Sequence, residues 1–132
     1  MGGRGRPPDP ERAAVRRRLL RLLRRVSGRT VYGWVERHMV GRHGPYYVYR
    51  WYDEGGEVRA FYLGRSREAR EAYRRVRRAH RSKKRIARAI FRRALTSAYP
   101  WSVDAGIAAV LGFHRRRKRE FLRLLRDLGL RW

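Results

Sequence analysis

Apolar residues recur along the chain with two different periods, and the change from one to the other marks out the elements. Val15, Leu19, Leu22, Leu23 and Val26 fall at three- and four-residue intervals among arginines, which predicts an amphipathic helix over 10–28. Its start is written in Asp9, Pro10 and Glu11: a capping carboxylate, a proline in the first turn and an acid at the positive helix end. Gly28 is a plausible stop. Over 29–64 tyrosine, tryptophan and valine dominate and glycines punctuate, which predicts a β meander with strands at about 30–39, 45–52 and 57–63. Asp53-Glu54-Gly55-Gly56 is the hairpin signal between the last two. A symmetric turn there sets Arg50 opposite Arg59, and two facing cations make sense if they grip a phosphate.

Helical spacing returns at Ser66, which caps a stretch with Glu68 and Glu71 near its start. Ala69, Ala72, Tyr73, Val76, Ala79, Ile86, Ile90 and Ala94 trace a narrow apolar stripe, so one helix is expected over 66–95, ~45 Å long. Thr96 to Ser102, with Pro100 and Trp101, reads as a break. A helical pair over 102–132 follows, with helices at about 103–111 and 114–128. The expected fold class is α+β: an N-terminal helix, a three-stranded antiparallel sheet, a long arginine-rich helix and a C-terminal helix-turn-helix-like pair. Residues 10–132 form one compact basic domain in this reading, behind a flexible basic arm at 1–9.

Charge changes the picture from a small α+β domain to a polyanion binder. The chain holds 36 Lys plus Arg against 11 Asp plus Glu, a formal net charge of +25. Only Lys83, Lys84 and Lys118 are lysines; the rest are arginines, whose planar fork grips phosphate in a bidentate fashion. A GC-rich genome produces the same bias. Charge of this size strains a compact fold by self-repulsion, so nucleic acid is the expected partner. No uninterrupted apolar run approaches the ~20 residues of a membrane span, and a helix lying on a membrane surface is the remaining membrane option. With no cysteine, disulfides and thiolate metal sites are excluded. The expected setting is intracellular: nucleoid-associated, or inside a virion.

The long helix between Arg74 and Arg93 has almost no negative charge. Like charges at helical spacing repel, so such a helix gains stability against a phosphate backbone. Arg74, Arg75, Arg77, Arg78, Arg81, Lys83, Lys84, Arg85 and Arg88 are its candidate phosphate contacts. Tyr46, Tyr47, Tyr49, Trp51, Tyr52, Phe61 and Tyr62 interleave with Arg50 and Arg59. Such a surface stacks unpaired bases in single-strand and RNA binders, although strand alternation turns one face inward and makes most of these rings core.

Three segments resemble known families. Ile107, Ala108, Leu111 and Gly112, then Phe113, Leu122, Leu125 and Gly129-Leu130, resemble the helix-turn-helix of winged-helix DNA-binding proteins. The resemblance implies that His114, Arg115, Arg116, Arg117 and Arg119 face the major groove or its flanking phosphates. Lys118, counted with that basic cluster, stands where the family usually has an apolar residue, and no wing follows. Arg4-Gly5-Arg6-Pro7 is similar to the core of an AT-hook, which implies that Arg4 and Arg6 lie along a narrow A·T-rich minor groove. His43-Gly44-Pro45-Tyr46-Tyr47, Arg50, Gly55-Gly56 and Tyr62-Leu63-Gly64-Arg65 are similar to a hairpin module of uncharacterised prokaryotic proteins, some apparently of mobile elements.

Catalysis finds little in the sequence. His38, His43, His80 and His114 are scattered, there is no glycine-rich phosphate loop with a lysine, and only Asp53, Glu54 and Glu57 cluster. No cofactor, metal or small-molecule substrate is expected. The favoured function is non-enzymatic coating or compaction of double-stranded DNA with little sequence specificity, as in a viral nucleocapsid or chromatin-like protein. A helix-turn-helix regulator of a virus or mobile element, and a structured-RNA or ribosomal binding protein, are the alternatives. Trp132 and the tyrosine-rich sheet are the expected contacts of a homo-oligomer or a cooperative assembly on DNA.

Overall fold

The computed structural model describes residues 9–26, 31–96, 101–130 and 132, with backbone alone at 90, 91, 93–96 and 101–113. Its order is α1 (Pro10–Leu23), β1 (Trp34–Val40), β2 (His43–Tyr52), β3 (Val58–Gly64), α2 (Arg67–Thr96) and α3 (Trp101–Asp127). The fold class is the α+β expected of the sequence. At the head of α1 the Asp9 carboxylate accepts from the backbone N–H groups of Glu11 and Arg12, at 3.0 and 3.3 Å. That satisfies two of the donors a helix start leaves unpaired. The helix ends before 28: Arg25 and Val26 donate back to the Leu22 and Leu23 carbonyls, and Val26 turns into the core.

The sheet runs β1-β2-β3, antiparallel throughout. Its inner face carries Val35, Tyr47, Tyr49, Trp51, Phe61 and Leu63, all buried beneath the helices. Of the seven rings singled out in this region, Tyr47, Tyr49, Trp51 and Phe61 are therefore core, Tyr46 is half-buried, and Tyr52 and Tyr62 are exposed. The hairpin register differs from the symmetric expectation by one residue. Arg50 faces Ala60 and Trp51 faces Arg59, so the two arginines lie on opposite faces and no Arg50–Arg59 phosphate grip forms. Asp53 is the reason. Its carboxylate accepts from the Glu57 N–H at 3.0 Å and from Arg59 Nε at 2.7 Å, and it builds a loop one residue longer that closes at Tyr52 and Val58.

Ser66 caps α2 as expected, its hydroxyl accepting from the Ala69 N–H at 3.2 Å. Ala69, Ala72, Val76 and Ala79 are buried, and these small side chains let the α2 backbone approach the core. The C-terminal region departs from expectation: α3 is one helix, where 103–111 and 114–128 were expected as two. The turn at Leu111-Gly112, on which the helix-turn-helix resemblance rests, is not formed. A glycine inside a helix costs only about 1 kcal/mol relative to alanine, and the flanking alanines, leucine and arginines favour helix strongly enough to carry the chain through. Phe121, Leu122, Leu125 and Leu130 close the core against α1 and the sheet.

Candidate nucleic-acid interface

At about 100° per residue, Arg67, Arg70, Arg74, Arg78, Arg81, Arg85, Arg88 and Arg92 fall along one side of α2. All eight are exposed. The buried line of Ala69, Ala72, Val76 and Ala79 lies on the opposite side. The stripe is ~38 Å long at ~1.5 Å per residue, slightly more than one turn of duplex DNA. Between Arg67 and Arg88 none of its arginines is paired with a carboxylate among the described residues. Elsewhere acids do find arginines: Asp53 and Glu57 hold Arg59, Glu54 holds Arg126 at 3.0 Å, and Glu120 holds Arg117 at 3.2 Å. From Arg67 to Arg88 the stripe is thus a row of cations without a carboxylate partner among the described residues.

The predicted α2 contacts divide in the structure. Arg74, Arg78, Arg81, Arg85 and Arg88 belong to the stripe, and Lys84 joins Arg81, Arg85, Arg88 and Arg92 around a shallow groove on the same side. Arg75 and Arg77 flank it and are partly engaged, donating to the Val26 carbonyl at 3.0 Å and the Tyr73 hydroxyl at 3.1 Å. Lys83 is placed differently. It continues the buried line, is half-buried, and burial pulls its ammonium below the ordinary lysine range. Arg67, Arg70 and Arg92 were missed by sequence reading, although the same three- and four-residue spacing runs through them.

On α3, Arg115, Arg116 and Arg119 are exposed, whereas His114, Arg117 and Lys118 are half-buried. Burial, then the Lys83 charge, holds the His114 imidazole below its usual range. Arg4 and Arg6, with the AT-hook resemblance, lie outside the described residues. Trp132, the expected oligomer contact, is half-buried and packs edge-on against Trp51 with ring centres 6.0 Å apart, and the Arg126 guanidinium lies 4.7 Å from its ring centre.

Arg59 points to the helix-covered face and is engaged by Asp53 and Glu57. Arg50 belongs to the outer face of the sheet, together with Trp34, Glu36, His38, Tyr46, Val48, Tyr52, Ala60 and Tyr62. None of these is buried. At its centre the Glu36 carboxylate accepts from Trp34 Nε1, His38 Nε2 and Arg50 Nε, each at 2.8 Å. The Trp34 hydrogen bond does most to hold the Glu36 carboxyl below the usual range, against its partial burial, and His38 and Arg50 add to it. The rings pair around this network: Trp34 with Tyr52, His38 with Tyr46, and Tyr46 with Tyr62.

No family model, curated protein or solved structure matches the chain. Among the described residues, no helix is long and apolar enough to cross a membrane, and no group of His, Asp and Glu is placed to hold a metal ion.

Proposed function

We propose that this protein is a non-enzymatic nucleic-acid-binding protein that coats or compacts double-stranded DNA with little sequence specificity. The carrying observation is the α2 stripe, whose arginines from Arg67 to Arg88 have no carboxylate partner among the described residues and stand opposite the buried line. A straight row of forked cations follows a phosphate backbone, and each contact releases condensed counterions, which makes binding steeply salt-dependent. Arg115, Arg116 and Arg119 on α3, Arg17 and Arg21 on α1, and Arg24 at the C-cap of α1 extend exposed positive charge to other sides of the molecule. This distribution suits contact with more than one duplex or with a wrapped one, the geometry of packaging within a nucleoid or a virion. Copies then line up along DNA as a cooperative coat. A site-specific regulator needs fewer phosphate contacts, and the turn that would support one is absent from α3.

The test replaces Arg74, Arg78, Arg81 and Arg85 together by glutamate and measures affinity for random-sequence duplex across a salt series. Loss of four phosphate contacts flattens the log–log salt slope by roughly 3 to 4. In the absence of DNA the variant melts no lower than wild type, because each new acid sits three or four residues from a remaining arginine. Unchanged affinity and slope would refute the stripe as the DNA contact. Tighter binding to duplex RNA at every salt concentration would move the protein to the structured-RNA class.

A further inference from the structure

The α2 stripe explains attraction to a backbone and leaves the outer face of the sheet without a role. We infer that this face reads duplex DNA in the major groove, with Glu36 holding Arg50 so that the two terminal amino groups of its guanidinium address a guanine. The inference rests on the duplex-binding function proposed above and adds to it a chemical preference.

Arg50 is positioned in a way a free surface arginine is not. Its Nε is taken by Glu36, so the side chain is fixed along the sheet, while its terminal amino groups have no partner among the described residues. The side chain keeps 35% of its exposure. Ala60 stands directly across from Arg50 on β3 and is itself exposed, which leaves the space before the fork open. Glu36 accepts from three donors of β1 and β2, so most of its acceptor capacity is turned to the protein and the Arg50 charge offsets its own. An arginine with its fork presented and its stem clamped is the side chain that pairs with both acceptors on the guanine edge, O6 and N7.

The dimensions agree. With strands ~4.8 Å apart, the outer strand axes of a three-stranded sheet stand ~10 Å apart, too wide for a minor groove ~6 Å wide, so the major groove, ~12 Å wide, is the one that this face can address. Cations stand where the groove walls would lie. Arg16 is held beside β3, donating to the Tyr62 carbonyl at 3.2 Å with its guanidinium 5.6 Å from the Tyr62 ring centre, and Arg42 is exposed in the turn between β1 and β2. The rings of this face are tilted against or stacked on one another in pairs instead of lying open as separate platforms. That arrangement favours a sheet that inserts into a groove over one that stacks splayed bases.

The experiment uses the full chain and competes a guanine-containing duplex against the same duplex with every guanine replaced by 7-deazaguanine, which lacks only the N7 acceptor. The unpaired strand of the same sequence is a third competitor. Wild type is expected to prefer the guanine duplex by about tenfold. R50M, which keeps a stem of similar length but has no donor, is expected to bind the two duplexes alike. Equal binding of both duplexes by wild type overturns the inference while leaving the salt-dependent coat intact, and this comparison needs no protein variant to fold. A preference that survives in R50M also overturns it. An unpaired strand that outcompetes both duplexes, with an advantage lost in R50M, assigns the face to splayed bases instead. Failure to bind any duplex refutes the proposed function itself, and the salt series shows which of the two has failed.

Discussion

Gly33 shows how much of this structure hangs on single positions. It has φ +81°, and a Cβ there would lie 2.5 Å from both the Arg50 carbonyl oxygen and the Tyr49 hydroxyl. The Tyr49 hydroxyl is fixed by donation to the Tyr32 carbonyl, and Tyr49 is wholly buried, so neither neighbour can give way cheaply. Gly33→Ala is therefore expected to cost roughly 3 kcal/mol or more, measured by denaturant unfolding. The Gly33 carbonyl also accepts from His80 Nε2 at 2.6 Å. Burial, aided by the Lys83 and Lys84 charges and opposed by this hydrogen bond, holds the His80 imidazole below its usual range of about 6.5. The unfolded chain then takes up the proton first. Stability from neutral His80 is complete above pH ~6.5 and is lost as pH falls through the lower folded value. Thermal unfolding between pH 7.5 and 5 is expected to show a falling midpoint, with a smaller fall in H80Q and the remainder supplied by His114, which shifts in the same direction. The depressed carboxyls, Glu36 and Asp53, act only below the ordinary carboxylate range and leave that window clear.

At the scale of elements, the starts were legible and one break was misplaced. Asp9 and Ser66 cap α1 and α2 through contacts within three residues, and such local chemistry is visible in a sequence. Gly112 was read as a turn, yet it lies inside α3 and is absent from the glycines with positive φ among the described residues. The two readings predict opposite signs. If Gly112 is helical, Gly112→Ala gains about 1 kcal/mol in urea unfolding, whereas a left-handed turn glycine would lose by the same change. The β2–β3 hairpin was legible as a hairpin but not in its register. Its two glycines signal a turn, while the loop length was set by the Asp53 carboxylate bonding four and six residues ahead.

For the whole molecule, the question is where +25 of net charge is placed. The three helices cover the inner face of the sheet and turn their arginines outward, so cations surround the core on the helical side, while the outer sheet face carries a small, ordered polar network. The two surfaces have different work in the proposed function: the α2 stripe supplies affinity, which salt screens, and the sheet face supplies a chemical preference, which a single atom on guanine reports. They are separately testable because they share no side chain.

The sequence by itself determined that the chain is an α+β domain and where its first helix, hairpin and long helix begin, because capping and periodicity are local properties, and its net charge, an additive property, is what makes a polyanion the proposed partner. Tertiary structure decided which cations are free to act. Lys83 and Arg74 look alike in the sequence, but nine residues of helix turn one toward the core and the other to solvent. Arg50 and Glu36 stand on different strands, and only the pairing of Trp34 with Arg50 brings them together. Contacts of this kind depend on long-range register, which is fixed by how the buried faces pack and not by any short stretch of residues.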